Sequence, residues 1–370
     1  MAIPLLQRLA AEHAAFVAER ERAVRRLLSL PNVFHSALTT RVGNSAHDVV
    51  FQSGSMKLLR YRRERPATQR LPVLFCYALV NRPYILDLLP DKSVVQQYLR
   101  AGFDVYLIDW GVPSAADHTL TLERYVCGFL QGVVEFILRA HGQQKLHLLG
   151  YCMGGTMSAL FAALNPSSVE SLTLLAAPLD FAGREGLLSL WTDPEYFDVD
   201  AFIDANGNCP AAFLQSVFLC LKPVQNLLAK NVGFFEQMDD PRFLQSYFAM
   251  ERWANDNIPV AGETFRAFVK NLYQRNELTR GELALGERRV DLGQITCPVL
   301  LLTATQDHLV PPASTLRIKP KLGSRNVTTM AIDAGHVGLV VSAKAQKKLW
   351  PDATRWLAER ESGDWNQRHG

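Results

Sequence analysis

The chain has 370 residues, 48% of them hydrophobic and 20% charged, the composition of a folded globular protein, which excludes wholesale disorder, collagen-like repeats and coiled-coil rods. Lys plus Arg at 39 against Asp plus Glu at 36 leaves a net charge of only +3, too balanced for a protein that grips phosphate backbones, so no nucleic-acid partner is expected. Six cysteines without a CxxC pair fit reduced thiols better than a disulfide or zinc framework, and no metal site is expected.

The first 28 residues carry charges from Arg8 onward and do not read as a secretory signal. No run of about 18 uncharged apolar residues predicts a membrane span. A cytoplasmic protein is expected. Leu5, Leu9, Phe16, Val17, Val24, Leu27 and Leu28 recur at mostly three- and four-residue steps among Arg and Glu, which predicts an amphipathic helix over residues 1–30. Such a helix either packs on its own domain or serves as an arm for a partner or a surface. Residues 48–51 and 56–61, with Gly54 between them, predict a hairpin leading into the main sheet.

Strand-like runs then alternate with helical ones. Residues 73–78, 104–108, 146–149 and 172–176 read as strands, and residues 93–100, 122–140 and 154–164 as the helices between them, the pattern of a parallel sheet with right-handed crossovers. It resumes with strands at 299–303 and 327–332 and closes with a helix over 343–359. Residues 178–296 break the pattern with aromatic-rich helical segments punctuated by Pro210, Pro223, Pro241 and Pro259. Both flanks read as strands of one sheet, so this stretch is expected to be an inserted lid, with core over 31–177 and 297–370. The predicted class is an α/β-hydrolase fold, mostly parallel, with a helical lid.

The strand at 146–149 runs into Gly150-Tyr151-Cys152-Met153-Gly154-Gly155 and then a helix. Strand, sharp turn and helix with glycines around one reactive side chain make a nucleophile elbow. Here the nucleophile position holds Cys152, and the positive end of the following helix favours a thiolate there. The hydrolase order is nucleophile, acid, histidine. Asp307 follows the strand at 299–303, and His336 lies in a glycine-flanked loop after the next strand, both at the carboxyl edge where open sheets place their chemistry. Asp333 competes for the acid role but shares the loop of His336, and His308 is a helper at best. The expected oxyanion hole combines the amides of Met153 and Val80. A thiolate exchanges one thioester for another at little free-energy change. With water excluded by lid aromatics such as Trp191, Phe202, Phe213, Phe218, Phe234 and Phe235, the acyl group can then pass to an alcohol. The same aromatics are equally explained as the core of the lid.

The elbow GYCMGGTMSALFAALN, together with YALVNRPYILDLLPDKS, FDVYLIDWG, IPVAGETFRAFVKNLYQRNEL, TATQDHLVPP and AGHVGL, resembles the poly(3-hydroxyalkanoate) synthases over residues 1–356. The short chain looks like the catalytic subunit of the two-component classes. The opening MAIP and the elbow lie nearer class IV, and TATQDHLVPP and AGETF nearer class III. The resemblance implies an acyltransferase that polymerises a short-chain (R)-3-hydroxyacyl-CoA, such as 3-hydroxybutyryl-CoA, with release of CoA. It needs no cofactor beyond the CoA of its substrate. It assigns catalysis to Cys152, Asp307 and His336, with Asp307 either activating the incoming hydroxyl or only orienting His336. It also implies a second synthase subunit, a homodimer and attachment to cytoplasmic polyester granules. The rival reading is a cysteine-dependent hydrolase of the dienelactone hydrolase or thioesterase type, compact enzymes without a long insertion.

Overall fold

The central strands bury side chains on both faces, as a parallel sheet covered by helices on each side requires. The computed structural model describes residues 2–183, 186–221 and 230–361. Pro223 and the residues after Glu361 lie outside the described residues. Eight strands form the sheet: β1 (His47–Ser53), β2 (Met56–Tyr61), β3 (Val73–Cys76), β4 (Val105–Asp109), β5 (Leu146–Tyr151), β6 (Val169–Leu175), β7 (Val299–Ala304) and β8 (Val327–Ile332). Their order is β1-β2-β4-β3-β5-β6-β7-β8. β1 and β2 form the expected hairpin, β2 meets β4 antiparallel, and all pairs from β4 to β8 are parallel.

Helices α2 (Val94–Arg100), α3 (Gln131–His141) and α4 (Met153–Leu164) fall where the helical pattern placed them. Ser93 caps α2 by accepting from the Gln96 amide at 3.0 Å, satisfying a donor that the first turn leaves without a partner. The segment before α3 winds as a π-helix over Arg124–Leu130, and another π turn, Ala345–Leu349, precedes the last helix, Trp350–Glu361. Apolar periodicity does not distinguish these windings from an α-helix.

The chain divides into two compact units, Gly43–Leu221 with Asp256–Gly370 and Met1–Val42 with Lys222–Asn255. In the larger unit β6 and β7 are neighbours in the sheet, so the long insertion leaves and re-enters between adjacent strands. Its helices Val199–Asn206 and Gly262–Ala267 are tied by Arg266 to Asp200 at 2.6 Å and to Asp204 at 2.7 Å. Phe202 packs on Phe213 at 4.7 Å and on Phe265 at 6.0 Å, and Phe197 stacks on Phe213. Two of the aromatics noted as a water shield thus pack on other rings of the insertion and are half-buried.

In the smaller unit, α1 (Ala2–Thr39) continues past residue 30, through Pro31. Pro31 lacks the amide that would bond one turn back, and the helix carries that missing bond without ending. Helices Lys230–Gln237 and Pro241–Asn255 complete the unit. Arg252 donates to the Thr40 carbonyl at 2.9 Å, and Phe234 packs on Tyr247 at 4.5 Å. Of the middle of the insertion, the part within Lys222–Asn255 thus belongs with α1. Among the described side chains of α1, large apolar ones face outward: Leu27 is 67% exposed, Leu28 74% and Leu38 82%, whereas Ser29 is buried.

At the amino edge of the sheet, His147 of β5 bonds Ser171 at 2.8 Å and Glu361 at 2.9 Å, and Glu361 also accepts from the amides of Arg70 and Leu71 at 2.7 and 3.0 Å. Burial alone would raise the Glu361 carboxyl, but the bonds from His147, Arg70 and Leu71 outweigh it and hold it below the ordinary value. A depressed carboxyl stabilises above its unfolded pKa and loses that contribution as pH falls through the folded one. Glu361→Gln is expected to cost roughly 1–3 kcal/mol near neutral pH. In thermal unfolding measured against pH, the gap between wild type and variant should close as the pH drops below the usual carboxylate range. A gap independent of pH would contradict the charged clasp.

Candidate active site

β5 ends at Tyr151, α4 begins at Met153, and Cys152 makes the turn between them at φ 55°, ψ −126°. A positive φ at a residue with a side chain costs on the order of 1–3 kcal/mol and persists only where the surroundings over-determine it. Here the Cys152 amide is held by the Leu175 carbonyl of β6 at 2.9 Å. The first turn of α4 lies directly on neighbouring backbone: a Cβ on Gly154 would collide with the Cys76 and Tyr77 main chain, and one on Gly155 with Ala177. Only glycine permits that approach, and the approach lifts the thiol above the sheet.

Asp307 lies just beyond β7. Its Oδ1 accepts from the amides of Leu309 and Val310 at 2.9 and 2.8 Å, and its Oδ2 accepts from His336 Nδ1 at 2.7 Å. His336 comes from the loop after β8 and faces Cys152, whose charge acts on it. Burial would depress the imidazole, but the charges of Asp307 and Cys152 and the hydrogen bond to Asp307 push its pKa up to about 10. The structure thus brings Cys152, Asp307 and His336 together at the carboxyl edge of the sheet. With Nδ1 committed to Asp307, Nε2 is the nitrogen available to the thiol.

Met153 opens α4, so its amide is one of the first-turn donors without a partner inside the helix. Val80 lies in the loop after β3, and the close contact of Gly154 with Cys76 and Tyr77 brings the start of that loop against the start of α4. Asp333 does not compete with Asp307: its Oδ1 accepts from the Thr305 and Gln306 side chains at 3.1 and 2.7 Å, and it is exposed. His308 is exposed, and Asp109 accepts from the Gly111 amide at 3.0 Å, holding the turn beside Trp110.

Two tyrosines near these groups carry no motif signal. Tyr151 stacks on the His336 ring with centroids 5.0 Å apart. Tyr273, on the π-helix Phe268–Gln274, packs on Phe181 at 4.7 Å. Its phenol is pushed up by burial first and then by the charges of Cys152 and Asp307. Together with Pro178, Phe181, Leu309 and Val310, Tyr273 lines a narrow recess beside Asp307. Adjacency to Cys152 in sequence was the available hint for Tyr151, whereas nothing in the pattern marked Tyr273. Among the described residues no group of three or more His, Cys, Asp or Glu side chains is placed to hold a metal ion, and no helix is long and apolar enough to cross a membrane.

Residues 71–343 match the family described as the alpha/beta hydrolase fold, and residues 29–99 match the family described as the poly-beta-hydroxybutyrate polymerase (PhaC) N-terminus. The chain is 42% identical over 319 residues to the poly(3-hydroxyalkanoate) polymerase subunit PhaC of Haloferax mediterranei, covering 86% of this chain and 65% of that protein. It is 42% identical over 320 residues to the subunit of the same name from Allochromatium vinosum, covering 86% of this chain and 90% of that one. Among solved structures, the monoacylglycerol lipase of Paleococcus ferrophilus aligns with a TM-score of 0.53 at 17% identity over 81% of this chain and 99% of the lipase, a likeness of fold alone.

His336→Gln removes the group placed to take the Cys152 proton. Alkylation of Cys152 by iodoacetamide near pH 7 is expected to slow by roughly a hundredfold. The rate should recover only as pH approaches the ordinary thiol range of about 8.5. Peptide mass must follow Cys152 specifically, because Cys220 is exposed and Cys152 only half-buried. Equal rates at neutral pH would remove His336 from the role.

Proposed function

The chain belongs to the poly(3-hydroxyalkanoate) polymerase subunit PhaC family, acyltransferases on an α/β-hydrolase fold, and from that premise we propose that it builds its polyester through a covalent thioester on Cys152. The observation that carries this reading is a cysteine at a strained elbow, facing a histidine that is itself locked to a buried carboxylate.

His336 takes the Cys152 proton, and the thiolate attacks the thioester carbonyl of a (R)-3-hydroxyacyl-CoA, 3-hydroxybutyryl-CoA being the representative substrate. The negative oxygen that forms is met by the amides of Met153 and Val80. When the tetrahedral intermediate collapses, CoA departs as its thiol with the proton from His336, and the acyl group stays on Cys152 as a thioester. His336 then removes the proton from an incoming 3-hydroxyl. The alkoxide attacks the acyl-enzyme, the new ester bond forms, and Cys152 is released. Each round adds one hydroxyacyl unit and frees one CoA.

Both oxygens of Asp307 are engaged, one by two amides and one by His336, and the side chain is 1% exposed. That favours a role in orienting His336 over direct contact with the incoming hydroxyl. The outward apolar row of α1 is the surface we assign to the second synthase subunit and, with it, to the polyester granule. A homodimer remains part of the proposal on family grounds.

Purified protein given (R)-3-hydroxybutyryl-CoA, with and without a candidate second subunit, is expected to release CoA as the solution turns turbid with polymer. Free 3-hydroxybutyrate in step with CoA would instead identify a cysteine hydrolase. Cys152→Ser should lose at least about 99% of turnover, because a serine ester is a less activated acyl carrier and the alcohol a poorer nucleophile at neutral pH. Wild-type turnover in that variant would exclude the thioester route.

Leu27→Glu with Leu38→Glu should reduce the fraction of protein sedimenting with granules severalfold while leaving the melting temperature within a few degrees, since exposed substitutions rarely cost more than about 0.5 kcal/mol each. Unchanged sedimentation would remove α1 from that role.

A further inference from the structure

Tyr151, the residue immediately before Cys152, grips His336 at two points. Its ring lies over the imidazole with centroids 5.0 Å apart and planes 23° apart, and its hydroxyl donates to the His336 backbone carbonyl at 3.2 Å. Tyr151 is 2% exposed and packs on Tyr77, itself 4% exposed, at 5.7 Å. Trp110 Nε1 in turn donates to the Tyr77 carbonyl at 2.9 Å. The phenol is therefore wedged between the end of β3 and the histidine loop, while its backbone is the last residue of the strand that carries the nucleophile.

We propose that Tyr151 is a positioning residue for the reaction: it holds the His336 ring in the plane that joins Asp307 to Cys152, and its π face stabilises the imidazolium.

Asp307 fixes one ring atom, and a ring held at one atom can still swing about that bond. A stacked aromatic blocks the swing, and the hydroxyl-to-carbonyl bond fixes the backbone from which the ring projects. Because Tyr151 and Cys152 are consecutive, any shift of the elbow carries the base with it. A cation within about 6 Å of an aromatic face is also favoured electrostatically, so the stack prolongs the protonated state from which His336 gives its proton to the departing CoA sulfur. The titratable groups facing this pair are Asp307 and Cys152, both acting on His336 and on Tyr151, and Tyr77, acting on Tyr151. Tyr273 faces Cys152 and Asp307 from the π-helix. Burial, followed by the charges of Tyr77, Cys152 and Asp307, pushes the Tyr151 phenol well up, which keeps the hydroxyl a donor throughout the working range.

The proposal rests on His336 serving as the base for Cys152. Its test compares Tyr151→Phe and Tyr151→Leu with wild type by CoA release from (R)-3-hydroxybutyryl-CoA across pH, alongside Cys152 alkylation in His336→Gln. Tyr151→Phe keeps the stack and should lose less than about fivefold in kcat, with its alkaline limb in place. Tyr151→Leu should lose on the order of 10- to 100-fold in kcat with KM within about threefold. Its alkaline limb should move toward neutral by roughly half to one unit, because the imidazolium has lost the ring face. If Tyr151→Leu does not fold, Tyr151→Met, flexible and similar in volume to leucine, takes its place. A leucine or methionine variant with wild-type kcat and pH profile overturns the proposal, as does a fall in kcat that Tyr151→Phe shares in full with no movement of the alkaline limb. If His336→Gln leaves Cys152 alkylation unchanged, the catalytic reading itself fails. If that variant slows alkylation while the Tyr151 variants behave as wild type, only the positioning role fails.

Discussion

The close approach of α4 to the backbones of β3 and the segment after β6 is the constraint on which the rest of the site depends. Gly154 lies against the Cys76 and Tyr77 main chain, Gly155 against Ala177, and Cys152 takes a positive φ between them. The strain at Cys152 is held in place by the sheet, because the residue's amide is bonded to Leu175 at the end of β6. The elbow is thus a consequence of pairing β5 between β3 and β6. Its product is a thiol raised above the carboxyl edge of the sheet with fresh helix amides beside it.

Around that thiol, each partner is fixed by groups other than itself. Asp307 is held by two amides of its own turn, so its second oxygen is presented to His336 in one direction. His336 takes its orientation from Asp307 at one nitrogen and from Tyr151 across its face and at its carbonyl. Losing any one of these contacts would let the His336 ring shift relative to the thiol, and the proposed reaction is sensitive to misplacement on the scale of an ångström. Within the insertion, Phe197, Phe202, Phe213 and Phe265 pack on one another and are half-buried.

The smaller unit follows a different logic. α1 carries its large apolar side chains outward, Phe34 at 67% and Leu38 at 82% exposed, while Ser29 is buried. An unburied apolar face contributes little to the stability of the unit that carries it.

Much of this was legible in the residues alone. Strand and helix alternation and the Gly150–Gly155 elbow are local patterns, and a local pattern survives whatever the chain does elsewhere, while Asp307 and His336 were marked by lying just after strands, in the hydrolase order. The insertion was legible for the same reason, as a place where the alternation stops. The end of α1 was not, because the apolar steps that marked the helix stop at Leu28 while the helix continues through Pro31 to Thr39. The π windings were invisible because the apolar period does not report which carbonyl each amide chooses. Which face of α1 is buried, the grip of Tyr151 on His336 and the clasp of His147 on Glu361, 214 positions away, were settled only when distant segments met. Side-chain identity sets what a residue is able to bond. Its partner is chosen by the packing of strands and loops far apart in the chain, and no local pattern contains that choice.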